Sequence, residues 1–126
     1  MSDHDFARIV ESYWALAEAR DWSAFGDLLA DDVTYEMPQT RERIRGKQRY
    51  LQFNREYPGD WHIAVQRVTG AAERAVSWVV STVGTETEVG ISFFEFDGDG
   101  RITHVTDFWP QPYEPPPGRE HLVDRY

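Results

Sequence analysis

The chain has 126 residues, no cysteine and a formal net charge of −9 at pH 7. Its length suits one domain over residues 1–126, with a core that needs no disulfide or metal, and the lack of a thiol excludes cysteine nucleophiles. The acidic balance disfavours nucleic acid and anionic membranes as partners, and the lack of a basic, apolar leader or of an apolar run near ~20 residues makes a cytoplasmic location the expectation.

Three segments of the first half have hydrophobic residues at helical spacing: residues 3–20, 22–29 and 46–54. Ser2 or Asp3 is the predicted cap of the first helix. Tyr13 lies at the centre of the apolar stripe of that helix and Trp14 at its edge. The sequence therefore predicts about three N-terminal helices.

Strand signals dominate the rest of the chain. Alternating, β-branched and aromatic residues predict strands at 33–37, 61–69 and 74–83, with a polar loop at 39–45. A proline-rich tail follows over residues 110–126. Helices first and long strands afterwards favour an α+β domain, with the helices on one face of a curved antiparallel sheet.

The segment Glu86–Pro110 predicts a hairpin around an Asp-Gly-Asp-Gly turn. With the turn centred between Gly98 and Asp99, Gly90 would lie opposite Asp107. One face would carry Gly90, Ser92, Phe94, Val105, Asp107 and Trp109. The other would carry Val89, Ile91, Phe93, Ile102, His104 and Phe108. Both faces are largely apolar, so we expect both to be covered.

Two stretches resemble a known superfamily. IVESYWALAEARDWSAFGDLLADDVTYEMP, residues 9–38, resembles the first two helices and first strand of the nuclear transport factor 2-like superfamily, without a gap against its steroid Δ5-isomerases. The FDGDGRIT turn and TDFW ending resemble its last two strands, especially in the SnoaL-like polyketide-cyclase branch. The resemblance implies a cone of helices closed by a curved antiparallel sheet around an apolar cavity. It also implies a homodimer through the outer face of the sheet.

The same resemblance carries over functional residues only in part. The oxyanion-holding tyrosine of the isomerases matches Tyr13, but their general base falls on Met37 and their second carboxylic acid on Ser92. Methionine cannot take a proton, so steroid isomerisation by that mechanism is not expected. The acid/base aspartate of the SnoaL-like cyclases matches Asp107. The epoxide hydrolases of the superfamily have an arginine and a second aspartate on the preceding strand, where this chain has Gly90 and Ser92.

Asp107 and Tyr13 are the predicted catalytic pair. Among Val105, Trp109 and Tyr13, Asp107 would have a pKa above its usual value of about 3.9. Such an acid could move a proton on an enolisable substrate while Tyr13 holds the developing oxyanion. The alternative is structural, with both side chains only satisfying hydrogen bonds inside the core.

An aromatic-walled pocket is expected from five tryptophans in a chain that is 14% aromatic. The predicted ligand contacts are Trp14, Tyr35, Met37, Trp78, Gly90, Ser92 and Trp109. The four histidines show no metal spacing, so neither a metal nor a cofactor is predicted. The basic cluster of residues 41–49 is either a solvated loop or an attractor of anionic substrate at the cavity mouth.

Three hypotheses follow. The first is a cofactor-independent acid/base enzyme, an isomerase, cyclase or lyase, acting on a small hydrophobic ligand that contains a carbonyl group. The second is a non-catalytic ligand-binding or dimerisation module. The third is a domain whose own aromatic side chains fill the interior. A homodimer is predicted in addition, because the apolar outer face of the hairpin would otherwise be exposed.

Overall fold

A computed structural model describes residues 4–126, and its elements follow the predicted order. The helices are α1 (Phe6–Glu18), α2 (Trp22–Asp27) and α3 (Lys47–Arg55). The strands are β1 (Leu29–Met37), β2 (Glu42–Arg45), β3 (Trp61–Ala71), β4 (Arg74–Val83), β5 (Glu86–Phe96) and β6 (Ile102–Phe108). A short 3₁₀ helix, Glu120–Leu122, lies in the tail. Three helices on a six-stranded sheet confirm the predicted α+β class. Within residues 4–126 no helix is both long and apolar enough to span a membrane.

The sheet has the strand order β2-β1-β6-β5-β4-β3. Neighbouring strands are antiparallel except β1 and β6, which run parallel. The prediction of a wholly antiparallel sheet was wrong at this one ladder, because hairpin signals report only on strands adjacent in sequence. Strand β2 lies in the segment predicted as a polar loop. It forms because Arg41, with a φ of 62°, reverses the chain so that residues 42–45 pair with β1.

Each helix buries one face, and α1 and α2 are also capped by aspartate side chains. The Asp5 carboxylate accepts a hydrogen bond from the Arg8 backbone N–H at 3.1 Å, and Asp21 caps α2 in the same way. The predicted caps Ser2 and Asp3 lie outside the described residues. Helix α1 packs on β3 and β4, and α3 packs on β1. The core therefore lies between the helices and one face of the sheet.

The hairpin of β5 and β6 has a different register from the predicted one. Ser92 lies opposite Asp107, whereas Gly90 was the predicted partner, so the prediction was wrong by two residues. Beyond the irregularity next to the turn, a slip of two residues leaves each side chain on its predicted face, because side chains alternate with a period of two. Asp107 therefore still points to the core side of the sheet, where it is 6% exposed.

The turn explains the shift in register. The Asp97 carboxylate accepts hydrogen bonds from the backbone N–H groups of Asp99 at 2.9 Å and Arg101 at 3.0 Å. This closes a longer loop than the predicted two-residue turn, with Phe96 opposite Ile102, and the register then shifts further between the pairs Phe96–Ile102 and Glu95–His104. The irregularity turns Ile102 inward, where it is fully buried. Its predicted place on the outer face was therefore wrong.

Candidate functional site

A cavity of about 210 Å³ lies between the helices and the inner face of the sheet. Six of the predicted site residues line it: Tyr13, Trp14, Tyr35, Met37, Asp107 and Trp109. Its walls are mainly aromatic, with carboxylates and hydroxyls at a few places. An interior filled completely by its own side chains, the third hypothesis, does not agree with this space.

Asp107 is positioned by strands on both sides of β6. Ser92, directly opposite on β5, donates its hydroxyl to Asp107 Oδ1 at 2.6 Å. Tyr35, on β1, donates its hydroxyl to Oδ2 at 2.8 Å. Burial raises the pKa of Asp107, and the hydrogen bonds from Ser92, Tyr35 and Trp109 oppose that rise. The result is a carboxylate that is a stronger base than an ordinary aspartate and is held in one orientation.

Three tyrosine hydroxyl groups lie in the same buried region. The hydroxyl groups of Tyr13 and Tyr50 share a short hydrogen bond. The ring of Tyr50 stacks on that of Tyr35, with centroids 4.9 Å apart and planes at 25°. Burial is the largest cause that raises the pKa of Tyr13, Tyr35 and Tyr50, and the negative charge of Asp107 adds to it in each case. Tyr50 also raises the pKa of Tyr13 and Tyr35, whereas the hydrogen bond with Tyr13 lowers that of Tyr50. All three are therefore neutral phenols at physiological pH and can donate hydrogen bonds to an oxygen.

The arrangement joins a base to neutral hydrogen-bond donors in one apolar cavity. Asp107 can accept a proton, and the Tyr13–Tyr50 pair can donate to an oxygen that becomes negative. The indole N–H of Trp14 is engaged elsewhere, donating to the Ser77 hydroxyl at 3.0 Å. Within residues 4–126 no buried side-chain nitrogen or oxygen lacks a hydrogen-bond partner. The polar groups are thus satisfied without ligand, as a stable core requires.

Gly90 and Ser92 lie behind the cavity wall. Ser92 contacts the ligand-facing acid but is 1% exposed. A Cβ atom built on Gly90 would lie 2.6 Å from the ring of Trp109, so only glycine allows that ring its position. Both predicted ligand contacts therefore support wall residues and do not form the wall.

Trp78 was placed on the wrong face by the sequence analysis. Its neighbours Ser77 and Val79 point inward and are buried, so the alternation of β4 turns Trp78 outward. It is 41% exposed, and the guanidinium of Arg67 lies 5.8 Å from its ring centroid. Trp78 therefore belongs to the outer surface of the sheet.

Several lining residues were not predicted as site residues. Tyr50 and Phe53 of α3, Tyr57 just after it and Trp61 at the start of β3 all line the cavity. The sequence contained the signal for the first three, since aromatic residues at i, i+3 and i+7 lie on one side of a helix. The sequence analysis predicts a helix there but assigns none of its aromatic side chains to the cavity.

The basic cluster is partly neutralised. Arg43 pairs with Glu36 at 2.6 Å, and Lys47 pairs with Asp31 at 3.3 Å. Arg43 and Arg49 line a second, open depression that shares Met37 with the main cavity. In the part of the chain that the structure describes, no three His, Asp or Glu side chains form a group that could hold a metal ion.

Comparisons with known proteins agree with this architecture. The family described as "SnoaL-like domain" matches residues 10–105. A solved structure from Kribbella flavida, entitled "putative ketosteroid isomerase", is 49% identical, covers 96% of this chain and 89% of its own, and has a TM-score of 0.93. No curated protein is significantly similar to the chain.

Two more distant structures show the fold alone. An "NTF-2 like protein of unknown function" from Burkholderia xenovorans is 24% identical, with coverage of 96% and 94% and a TM-score of 0.82. A "putative polyketide cyclase" from Xanthomonas campestris is 23% identical, with coverage of 83% and 90% and a TM-score of 0.67. The same cone of helices and sheet thus recurs in proteins with quite different descriptions.

Proposed function

The chain belongs to the SnoaL-like domain family, and on that premise we propose that it is a cofactor-independent acid/base enzyme. Its substrate would be a small hydrophobic molecule with a carbonyl group. The observation that carries the proposal is that Asp107, a buried carboxylate with a raised pKa, lines the same cavity as Tyr13 and Tyr50. A base and neutral donors around an apolar space are what proton transfer next to a carbonyl needs.

The proposed step begins with Asp107 taking a proton from the carbon beside the carbonyl group. The electrons of that C–H bond move into the carbonyl, whose oxygen becomes an enolate oxygen. One hydroxyl of the Tyr13–Tyr50 pair donates to the other, and the remaining hydroxyl hydrogen is donated to this oxygen while both remain phenols. Protonated Asp107 then returns the proton to the same or another carbon. In a cyclisation the enolate carbon instead attacks a second carbonyl carbon, whose C=O π bond opens and whose oxygen takes the proton from Asp107. In an elimination the enolate expels a leaving group, which departs with the electron pair of its bond and takes that proton. Isomerisation, cyclisation and elimination all share this first step.

Steroid isomerisation by the mechanism of the classical isomerases is not supported by these residues. Met37 stands where the resemblance places their base, and Ser92 stands where it places their second acid. In this chain the acid lies on the neighbouring strand, at position 107, and Ser92 donates to it. The description of the Kribbella flavida protein therefore does not by itself assign that reaction to this chain.

A non-catalytic binding protein is the second candidate, and one observation favours it. Both oxygens of Asp107 already accept a hydrogen bond, from Ser92 and from Tyr35. An acid satisfied in this way can serve the fold alone. Each carboxylate oxygen has a second lone pair, however, so the existing bonds do not prevent it from acting as a base.

Deuterium exchange separates the two candidates without knowledge of the substrate. The hydrophobic ketone 2-acetylnaphthalene is incubated with the protein in D₂O, and loss of the acetyl C–H signal is followed by NMR. We expect the native protein to exceed the buffer rate and Asp107→Asn to lose about 100-fold or more of the enzymatic rate, the range for removal of a general base. Tyr13→Phe should lose about tenfold or more, because one oxyanion donor is removed.

Glu95→Gln, an exposed change on the outer side of β5, is the matched control and should exchange at the native rate. Exchange by Asp107→Asn at the native rate would remove Asp107 from the mechanism. Binding of the ketone to the native protein without any exchange above buffer would favour the non-catalytic candidate.

We further propose a homodimer through the outer face of the sheet. Trp78 and Phe93 are 41% and 49% exposed there, and Val89 adds further apolar surface. Light scattering at micromolar concentration should give the mass of two chains, and a monomer would contradict the proposal. A cytoplasmic location remains a prediction from the sequence, to be checked by cell fractionation.

A further inference from the structure

Trp109 follows the last residue of β6, and both its backbone N–H and its backbone carbonyl are hydrogen-bonded. Its backbone N–H donates to Gln39 Oε1, and its carbonyl accepts from Gln39 Nε2 at 3.1 Å. The β1–β6 ladder has ended at this point, since β1 stops at Met37. The side-chain amide of Gln39 therefore takes the part that a backbone amide of a neighbouring strand would take.

The ring of Trp109 is fixed as well as its backbone. It lies against Gly90, where a Cβ atom would come within 2.6 to 3.0 Å of three of its carbon atoms. Non-bonded carbon atoms do not approach each other this closely, so the ring occupies the space that a side chain at position 90 would need. Two independent contacts, at the main chain and at the ring, thus give Trp109 one position although it is only half-buried.

The fixed ring lines the cavity beside Asp107. Trp109 also acts on this acid, since its side chain opposes the rise in the Asp107 pKa. With its back against Gly90, the indole can offer only its other face and an edge to the cavity. A flat, apolar surface next to the acid favours a ligand that is itself flat, since stacked rings gain free energy beyond their buried area.

We propose that Trp109 is a fixed stacking platform that makes the cavity selective for planar, conjugated ring ketones. Gly90 and Gln39 are the positioning residues that hold this platform. The inference rests on the proposed ligand-binding cavity and adds the shape class of its ligand. It assigns a role to Gln39, an exposed loop residue that nothing in the sequence pattern singled out.

A pair of ketones with the same carbon skeleton tests the proposal. One is the planar 2-acetylnaphthalene and the other is its saturated, puckered analogue 2-acetyl-trans-decalin. Dissociation constants are measured by calorimetry, and the ratio of the two is the readout. We expect the native protein to prefer the planar ketone by about three- to tenfold, the range for one aromatic stacking contact.

Three variants should lower this ratio for different reasons. Trp109→Leu removes the platform and should bring the ratio to about one. Gly90→Ala forces the ring off its support and into the cavity, so the planar ketone should lose most of its advantage. Gln39→Ala releases the main chain of Trp109 and should reduce the ratio about two- to threefold, since two hydrogen bonds with partners open to solvent are lost.

Each variant has a matched control elsewhere in the chain. Trp78→Leu removes an exposed tryptophan of the outer face, Gly98→Ala adds a methyl group where no atom lies within 4 Å, and Gln66→Ala removes an exposed glutamine of β3. All three should keep the native ratio.

The double variant Gly90→Ala/Trp109→Leu guards against a folding defect. Without the indole ring the added methyl group has room, so this variant should regain the thermal stability that Gly90→Ala loses and keep a ratio of about one. A planar preference that survives in Trp109→Leu would overturn the platform. Ratios in Gly90→Ala and Gln39→Ala equal to those of the controls would overturn the positioning roles.

The outcomes also separate this inference from the proposed function. Equal binding of both ketones to the native protein would contradict the proposed stacking role of Trp109 and would still support the cavity as a ligand-binding site. Binding of neither ketone would overturn both. The exchange experiment on Asp107 is independent of the ratio, because it measures proton transfer and not shape selection.

Discussion

The two faces of strand β5 are made from alternate residues of one short sequence, and they differ sharply. On the inner face Ser92 and Phe94 are each 1% exposed. On the outer face Phe93, which lies between them in the chain, is 49% exposed and packs edge-on against Phe108 with centroids 6.0 Å apart. Both faces are rich in apolar residues, so hydrophobicity alone does not distinguish the site from the surface.

Polar groups make the difference. On the inner face Ser92 donates a hydrogen bond to Asp107, and because both groups are buried, losing that bond would be costly. The outer face has aromatic side chains without a comparable buried acid. Chemistry is therefore expected from the inner face and association from the outer one, and changes at adjacent positions should separate the two.

The largest expected effect comes from the neighbouring phenylalanines. Phe94→Ala should lower the free energy of unfolding by about 3–5 kcal/mol, because it removes a buried aromatic side chain that packs against Tyr13. Phe93→Ala should cost less than about 1 kcal/mol within one chain, since half of that side chain is already in water. Urea denaturation measures both values.

Repeating the measurement at several protein concentrations sharpens the contrast. If the outer face binds a second copy, the loss in free energy of unfolding caused by Phe93→Ala grows with protein concentration. The loss caused by Phe94→Ala should be the same at every concentration. Equal losses for the two variants at every concentration would break the comparison between the faces.

A smaller effect is expected from two serines that lie opposite each other. Ser92→Ala removes a hydrogen bond that favours the ionised form of Asp107, so the pKa of Asp107 rises further. A bond to a charged group is worth about 1.5–3 kcal/mol, which corresponds to about 1–2 pH units. The acidic limb of the exchange activity against pH should therefore shift upward by that amount.

Ser77→Ala is the control for this shift. Ser77 is the cross-strand partner of Ser92 and is equally buried, but its hydroxyl accepts from Trp14 and does not contact Asp107. That variant should lose stability and keep the native pH profile. A profile that moves equally in both variants would mean that core disruption, and not the Ser92 hydroxyl, sets the pKa of Asp107.

The fold could be predicted from the sequence in most of its parts. Helical spacing located α1 and α3 and alternation located β3 to β6, since these patterns are local. The pairing of β1 with β6 could not be predicted, because it joins strands that are distant in the chain. The predicted register of the last hairpin was wrong for a different reason, since the hydrogen bonds of Asp97 close a longer loop than the two-residue turn expected from the Asp-Gly pairs, and an irregularity follows it.

The candidate site was predictable at its centre and not at its supports. A lone acid between apolar residues pointed to Asp107, and alternation placed it on one face with Ser92 and Phe94. The resemblance, and not the alternation, implied that this face lines the cavity. The contacts that hold the site depend on tertiary distances, and no sequence pattern reports them. Gln39 reaches across to Trp109, and Tyr50 meets Tyr13 from another helix.

The smallest expected effect concerns an exposed ion pair between the end of α1 and the start of β3, outside both the cavity lining and the apolar outer face. The hydrogen bond and charge of Glu18, with a lesser contribution from Asp60, raise the pKa of His62 above 6.5. Burial acts to raise the pKa of Glu18, but its bonds to His62 and to the Ile63 backbone lower it below 4.5. A raised histidine pKa stabilises the fold below about pH 6.5 and loses that contribution as pH rises through the folded value. A lowered glutamate pKa stabilises the fold above about pH 4.5, and that contribution is lost as pH falls through its folded value.

His62→Gln should therefore lower the melting temperature slightly near about pH 5.5 and leave it unchanged near about pH 9, where the native histidine is neutral. A decrease for His62→Gln that is the same at both pH values would show that packing at this contact, and not the charge of His62, ties the end of α1 to the start of β3.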